Sequence, residues 1–131
     1  MKWPVVEIGK LCLQTEQRDP RNSPDLPFEY VDISSIDKDL KAIVQTQKII
    51  GKDAPSRARK VIHTEDLLVS TVRPNLNAVA IVPSDLDGQI ASTGFCILSP
   101  RPALVSPRYL FYWTLTQDFV SYLIARMRGA N

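Results

Sequence analysis

Prolines and glycines divide this chain into two unlike parts, and the division limits the folds open to it. Between Phe28 and Leu98, short β-type runs alternate with turns carrying Gly51, Pro55, Pro74, Pro83, Gly88 or Gly94, whereas Tyr109 to Met127 contains neither residue. Proline removes a backbone donor and glycine frees φ, so both punctuate strands more readily than they sit inside them. A β-rich part followed by a helical part is therefore expected.

Within the first part, Gln14 to Pro27 carries three prolines and reads as a long loop. Phe28 to Ile33 reads as a strand ending at Ser34 and Ser35; Lys38, three residues after Ser35, makes no capping box. Val44 to Ile50 gives a weaker strand signal, and Gly51 to Arg59 a polar, basic loop. Leu67 to Val72 is the clearest strand, with β-branched Val69, Thr71 and Val72. Pro74 is expected to hold Arg73 in extended geometry at the strand exit. Ala78–Val82, Gln89–Ser92 and Phe95–Leu98 complete the strand series, with a turn at Ser84–Gly88. In the second part Ser106 and Pro107 fit an N-cap and first helical residue. Leu110, Trp113, Phe119, Leu123, Ile124 and Met127 recur at helical spacing, and Thr116-Gln117-Asp118 suits a second helix start. One bent helix or two short ones fit equally. Gly129 reads as a helix C-cap, and the helical region is expected either to pack back on the strands or to offer an apolar face to a partner.

With 131 residues the chain has room for one domain, taken as residues 1–131, and 44% hydrophobic with 23% charged residues is unlike a disordered chain. The formal net charge of +2 neither demands nor excludes nucleic acid. Its distribution says more: Lys52, Arg57, Arg59 and Lys60 face only Asp53 between Gly51 and Lys60, a local net of +3. Cys12 and Cys96 stand far apart in apolar settings and read as reduced core residues. The opening Met1 to Leu11 lacks a secretory pattern, and no apolar run is long enough to span a membrane, so a cytoplasmic protein is expected.

Catalytic signatures are missing from the sequence. His63 is the sole histidine, without HExxH or CxxC spacing, and no GxSxG elbow accompanies it. No GxGxxG or GxxxxGK[ST] motif is present. Asp85 and Asp87 would hold a divalent ion only if other oxygens converged on them. The expectation is no enzyme activity, no metal and no cofactor. What remains is hydrogen-bonding chemistry on loops. Arginine presents a fixed donor fork to guanine or phosphate, and asparagine can both donate to and accept from an adenine edge. Lys52, Arg57, Arg59, Lys60, Arg73, Asn75 and Asn77 carry it. Each has an ordinary reading as well: a solvated basic surface, an arginine paired to a carboxylate, or asparagines that make turns. These residues alone leave DNA binding, protein interaction and structural roles open.

The segments Ala54-Pro-Ser-Arg-Ala-Arg-Lys60, Leu67-Leu-Val-Ser-Thr-Val-Arg-Pro-Asn-Leu-Asn-Ala78 and Ala91-Ser-Thr-Gly-Phe-Cys-Ile-Leu98 resemble the target recognition domain of type I restriction-modification DNA specificity subunits. The opening Trp3-Pro-Val-Val-Glu-Ile-Gly-Lys-Leu11, Tyr30-Val-Asp-Ile-Ser-Ser-Ile36 and Pro107-Arg-Tyr-Leu-Phe-Tyr-Trp113 fit in the same order. The resemblance implies a mixed α/β (α+β) domain with a strongly bent β-sheet region and peripheral helices. It also implies sequence-specific recognition of double-stranded DNA, one domain reading half of a bipartite target.

By the same resemblance, the partners are a DNA methyltransferase (modification) subunit, which binds the methyl donor, and the restriction subunit; a homodimer stays open. The chain is expected to stop before the family's conserved spacer helix. Ser56, Arg57, Arg73 and Asn75 lie in shared motifs and suit phosphate contact or scaffold support, while Gln14–Asp25 and Asp37–Lys48 suit target-specific contacts. Neutralising Arg57 with Lys60 is expected to weaken binding to related and unrelated duplexes alike. Other readings accompany this one: an assembly module using Tyr109, Tyr112, Trp113 and Tyr122, a detached recognition domain of a DNA methyltransferase whose catalytic portion lies elsewhere, and a truncated remnant without independent DNA binding.

Overall fold

The computed structural model describes residues 12–13, 16–100 and 105–129, with side-chain detail from 16 to 125. Among the described residues ten short strands come first: β1 (Cys12–Leu13), β2 (Pro27–Val31), β3 (Ile36–Asp37), β4 (Ala42–Ile43), β5 (Gln47–Ile50), β6 (Ala58–Val61), β7 (Leu67–Ser70), β8 (Val79–Ile81), β9 (Ile90–Ser92) and β10 (Phe95–Pro100). Two helices follow, α1 (Pro107–Thr114) and α2 (Gln117–Gly129). One sheet has the order β1-β10-β7-β8 and is antiparallel throughout. The other has the order β5-β2-β9-β6, with β2 and β9 parallel. The pair β3–β4 forms a hairpin against β8.

Alternation of side chains turns these sheets into layers. In β7, Leu68 faces a core shared with Val31, Ile62, Ala80, Ala91, Phe95 and Ile97, between the two sheets. Its neighbours Leu67 and Val69 face the opposite way, onto Leu98, Leu110 and Phe119 beneath the helices. A third cluster, Phe28, Tyr30, Ala58, Val61 and Ile90, covers the outer face of the second sheet. Because successive side chains point to opposite faces, a strand buried on both sides loses its polar alternation and reads as a continuous apolar run. After β6 the chain crosses between the sheets three times, at β6 to β7, at β8 to β9 and at β9 to β10. The helices lie on one side of the first sheet, against β7, β8 and β10, giving the mixed α+β arrangement expected.

Helix α1 begins as expected: the Ser106 hydroxyl accepts from the Tyr109 amide at 3.1 Å and Pro107 occupies the first turn. The two-helix alternative is the one formed. Thr116 Oγ1 accepts from the Phe119 amide at 3.2 Å and so starts α2. The final helical region packs back, through buried Phe119 and Val120.

Several expectations need correction. Arg59 and Lys60 lie on β6 rather than in a loop, and the ladder shifts register between Ala58 and Lys60. The strand expected to reach Val72 ends at Ser70, whose hydroxyl donates to the Val72 carbonyl and bends the chain away. Arg73 is left-handed, φ 51° and ψ 62°, not extended. That conformation lets the Leu76 and Asn77 amides donate to the Arg73 and Pro74 carbonyls. The turn after β2 is closed by a capping box between Asp32 and Ser35, which the sequence reading did not pick out. The reading of Trp3 to Leu11, of Cys12 as a core side chain, and of Ala130 and Asn131 lies outside the described residues. Cys96 is a free thiol, half-buried in the layer under the helices, and burial pushes its pKa up.

Candidate nucleic-acid interface

The basic segment is mounted on its neighbours by backbone contacts. Gly51 opens a short turn, and its amide donates to the Leu26 carbonyl at 2.9 Å while the Lys52 amide donates to Pro24 at 3.0 Å. A Cβ on Gly51 would lie 2.2 Å from the Ser23 carbonyl oxygen and 2.3 Å from that of Pro20, so only glycine admits this approach. The turn at Pro20–Asn22 is itself capped by Asp19, which accepts from the Arg21 amide at 3.0 Å.

The four cations of this segment then divide. Arg59 pairs with Asp19 at 3.3 Å and donates to the Ala58 carbonyl, while its own carbonyl accepts from Arg18. The Arg21 amide, with help from the Arg21 and Arg59 charges, holds the Asp19 carboxyl below its ordinary pKa. The Lys60 ammonium turns inward and donates to the Phe95 carbonyl at 2.6 Å, joining β6 to the β10 strand of the other sheet. Lys52, Ser56 and Arg57 remain exposed to solvent. Arg57 also holds the β9–β10 corner, since its carbonyl accepts from the Thr93 amide at 2.9 Å.

A second group surrounds the turn Pro74–Leu76. Arg73 and Asn75 are exposed beside it, with Val72 and Leu76. Asn77 is different. Its Nδ2 donates to the Thr114 carbonyl at the end of α1, 2.8 Å away, and its Oδ1 and main-chain carbonyl both accept from Lys41 Nζ, at 3.1 and 2.5 Å. Burial depresses the Lys41 pKa, and the Asp39 charge opposes that. Asn77 therefore acts as a crosspiece.

The aromatic candidates also separate. Trp113 and Tyr122 pack with Phe119, Trp113 edge-on to it at a centroid distance of 4.9 Å. Tyr109 and Tyr112 are exposed on α1, at 41% and 56%. Among the described residues no group of three His, Cys, Asp or Glu side chains could hold a metal ion. Asp87 instead accepts from the Thr64 amide at 2.8 Å. A cavity of about 210 Å³ is lined by Arg18, Asp19, Ser23, Leu26, Phe28 and Ile90 among others.

No family model matches the chain. It is 34% identical, over 82 residues or 61% of its length, to the type I restriction enzyme HindI specificity subunit of Haemophilus influenzae. Among solved structures, the HsdS subunit from Thermoanaerobacter tengcongensis superposes on 83% of the chain, with a TM-score of 0.82 and 49% identity. A chain from a structure on complex assembly and conformational transition of the type I R-M system superposes on 98%, with a TM-score of 0.91 and 45% identity. This chain is a relative of the type I restriction specificity subunits.

The chain spans 18% of the HindI specificity subunit and 28% and 34% of the two solved chains. Within this specificity-subunit relative, the predicted DNA-facing residues form two exposed sets, Lys52 with Ser56 and Arg57, and Arg73 with Asn75. Arg59, Lys60 and Asn77 supply the bonds behind them. Reading the sequence missed Lys41, Asp19 and Glu16, whose partners lie far away in the chain. The half-exposed His63 ring lies between Glu16 and Asp87. Among the described residues no helix is long and apolar enough to cross a membrane.

Proposed function

We propose that this chain is a DNA target recognition domain, reading one half of a bipartite double-stranded target for a type I restriction-modification complex. The observation that carries the reading is the 45% identity and 0.91 TM-score over 98% of the chain with a component of such a system. We take residues 1–131 as one recognition domain. It performs no chemistry of its own and needs no cofactor; methylation and cleavage fall to a modification subunit and a restriction subunit acting as partners in the cytoplasm.

Binding combines backbone clamping with base readout. Lys52, Ser56 and Arg57 suit phosphate contact: two cations and a hydroxyl, exposed, on a segment anchored through Gly51 and Arg59. Phosphate contacts fix register without reading sequence, whereas base edges carry the information. Their place in a shared motif favours Arg73 and Asn75 for phosphate contact, but their exposure on a fixed turn and their donor and acceptor pattern support contact with guanine or adenine edges instead. Each cation that neutralises a phosphate releases counterions, so Lys52 and Arg57 together give a slope of log affinity against log salt of about −2. Fluorescence anisotropy with a labelled duplex at several salt concentrations measures that slope. Affinity that ignores salt removes the phosphate-clamp mechanism, and no binding at low salt overturns the DNA-recognition reading.

The exposure of Tyr109 and Tyr112 on α1 favours a second role, docking of the methyltransferase subunit on this face. Aromatic side chains with a polar tip are common interface anchors. A partner that binds with equal strength in the absence of DNA, and is lost with Tyr112→Ala, supports assembly as the primary role.

A further inference from the structure

Two exposed turns, distant in sequence, are joined by a single pair of side chains. The turn after β3 is fixed internally: Asp37 Oδ1 accepts from the Asp39 and Leu40 amides, each at 2.9 Å, and the Lys41 amide donates to the Asp37 carbonyl. The turn at Pro74–Leu76 is flanked by Arg73 and Asn77, both left-handed. Lys41, φ 55°, is left-handed as well. A non-glycine residue in that region is strained and persists only where its surroundings hold it. Three such residues thus gather where the two turns meet. The bonds from Lys41 to Asn77 and from Asn77 to Thr114 hold them there.

On the two turns that meet at this junction, Lys38, Leu40, Arg73 and Asn75 are exposed to solvent. Leu40 is 70% exposed on a turn held by three hydrogen bonds, so a large apolar group is presented in a fixed place. The ion pair of Lys38 with Asp39 lies in solvent and is worth little, which leaves the ammonium available. An arginine fork, an asparagine amide and an apolar tip are the groups that distinguish guanine, adenine and the thymine methyl in a major groove. Readout of neighbouring bases by two loops requires a fixed spacing between them, because contacts misplaced by an ångström lose their discrimination.

We infer that the turns at 37–41 and 72–77 form one composite base-reading surface, and that Lys41 and Asn77 are positioning residues that set its geometry without touching DNA. The inference rests on the DNA-recognition reading above. It predicts a separation between discrimination and affinity: disturbing the latch blurs the preference for one sequence, while phosphate contacts at Lys52 and Arg57 keep general binding intact.

The test uses the full 131-residue chain with Lys41→Met, Lys41→Arg and Asn77→Gly, the last retaining the left-handed backbone and the carbonyl that Lys41 reaches. Folding is checked by circular dichroism, and amide exchange at Leu76 and Asn77 without DNA reports the state of the latch. Binding is measured to the best duplex selected by the wild-type chain and to its single-base-pair variants. The expected result for Lys41→Met and Asn77→Gly is faster exchange at both amides, about tenfold lower discrimination and non-specific affinity within about twofold, with partial rescue in Lys41→Arg. Should Lys41→Met fail to fold, Asn77→Gly carries the test. Folded variants that discriminate as well as the wild-type chain overturn the inference while leaving DNA recognition standing; a wild-type chain with no sequence preference overturns both.

Discussion

Nε2 of His63 lies 2.9 Å from Oε1 of Glu16, and through that contact the segment entering the first loop is tied to the turn before β7. Asp87 approaches the other ring nitrogen at 3.4 Å, and buried Asp66 accepts from the His63 amide at 2.9 Å. The Glu16 contact raises the His63 pKa above 6.5, against a smaller opposing effect of burial, with Asp66 and Asp87 adding to the rise. A proton held more tightly in the folded chain stabilises it. The contribution is fully present below about pH 6.5 and is lost as pH rises through the folded value. Both side chains are more than half exposed, so the pair is worth at most about 1 kcal/mol and weakens with salt. Thermal unfolding of the wild-type chain and His63→Gln across about pH 5.5 to 8 checks this. The variant is expected to lose the part of the pH dependence that falls near neutrality; identical profiles would mean the contact contributes nothing.

Gly51→Ala is expected to destabilise the chain by about 1–3 kcal/mol, since the new methyl meets carbonyl oxygens of Ser23 and Pro20 rather than a yielding side chain. Chemical denaturation measures the loss. Because Lys52 follows directly, DNA affinity should also fall under conditions where the variant is fully folded.

The division among the basic residues predicts two phenotypes. Arg57→Gln should weaken binding to all duplexes and reduce the salt slope by about 1, with stability nearly unchanged. Lys60→Met should leave the slope unchanged and lower stability by about 1.5–3 kcal/mol, because a charged donor to the Phe95 carbonyl is lost. The reverse pattern, measured by anisotropy and denaturation on the same preparations, would place Lys60 rather than Arg57 at the phosphates.

Leu68, fully buried between the two sheets, anchors the layer that both share. Leu68→Ala is expected to cost about 2–5 kcal/mol. A loss well below that, read from the denaturation midpoint, would mean the two sheets close over the cavity.

Much of this architecture was legible in the chain. Leu67 to Ser70, Val79 to Ile81 and Phe95 to Leu98 announced themselves as short apolar runs between turn residues, and Ser106 with Pro107 marked the start of α1. The layered burial was harder to read, because Leu68 and Val69 are apolar on opposite faces and erase the alternation that would assign a side. Arg59 and Lys60 looked like loop residues because their charges suggest solvent, yet a long stem lets each reach a carbonyl or carboxylate from within a strand. Arg73 departed from its expected conformation because the turn it opens needs a reversal that overrides the usual effect of the following proline. Lys41, Asn77 and Thr114 meet across separations of 36 and 37 residues, and no local pattern encodes such a meeting. The candidate site was thus visible as a set of residue types, while the division into exposed contacts and the bonds that hold them required the fold.

The measurement that tests the central claim most directly is selection from a randomised duplex library by the purified 131-residue chain, at low salt and again near physiological salt. Enrichment of one short half-site, sharper at the higher salt where non-specific phosphate binding is weaker, is the predicted result. Binding without any enriched sequence at either salt, or no binding at all, would contradict the claim that this chain reads DNA sequence.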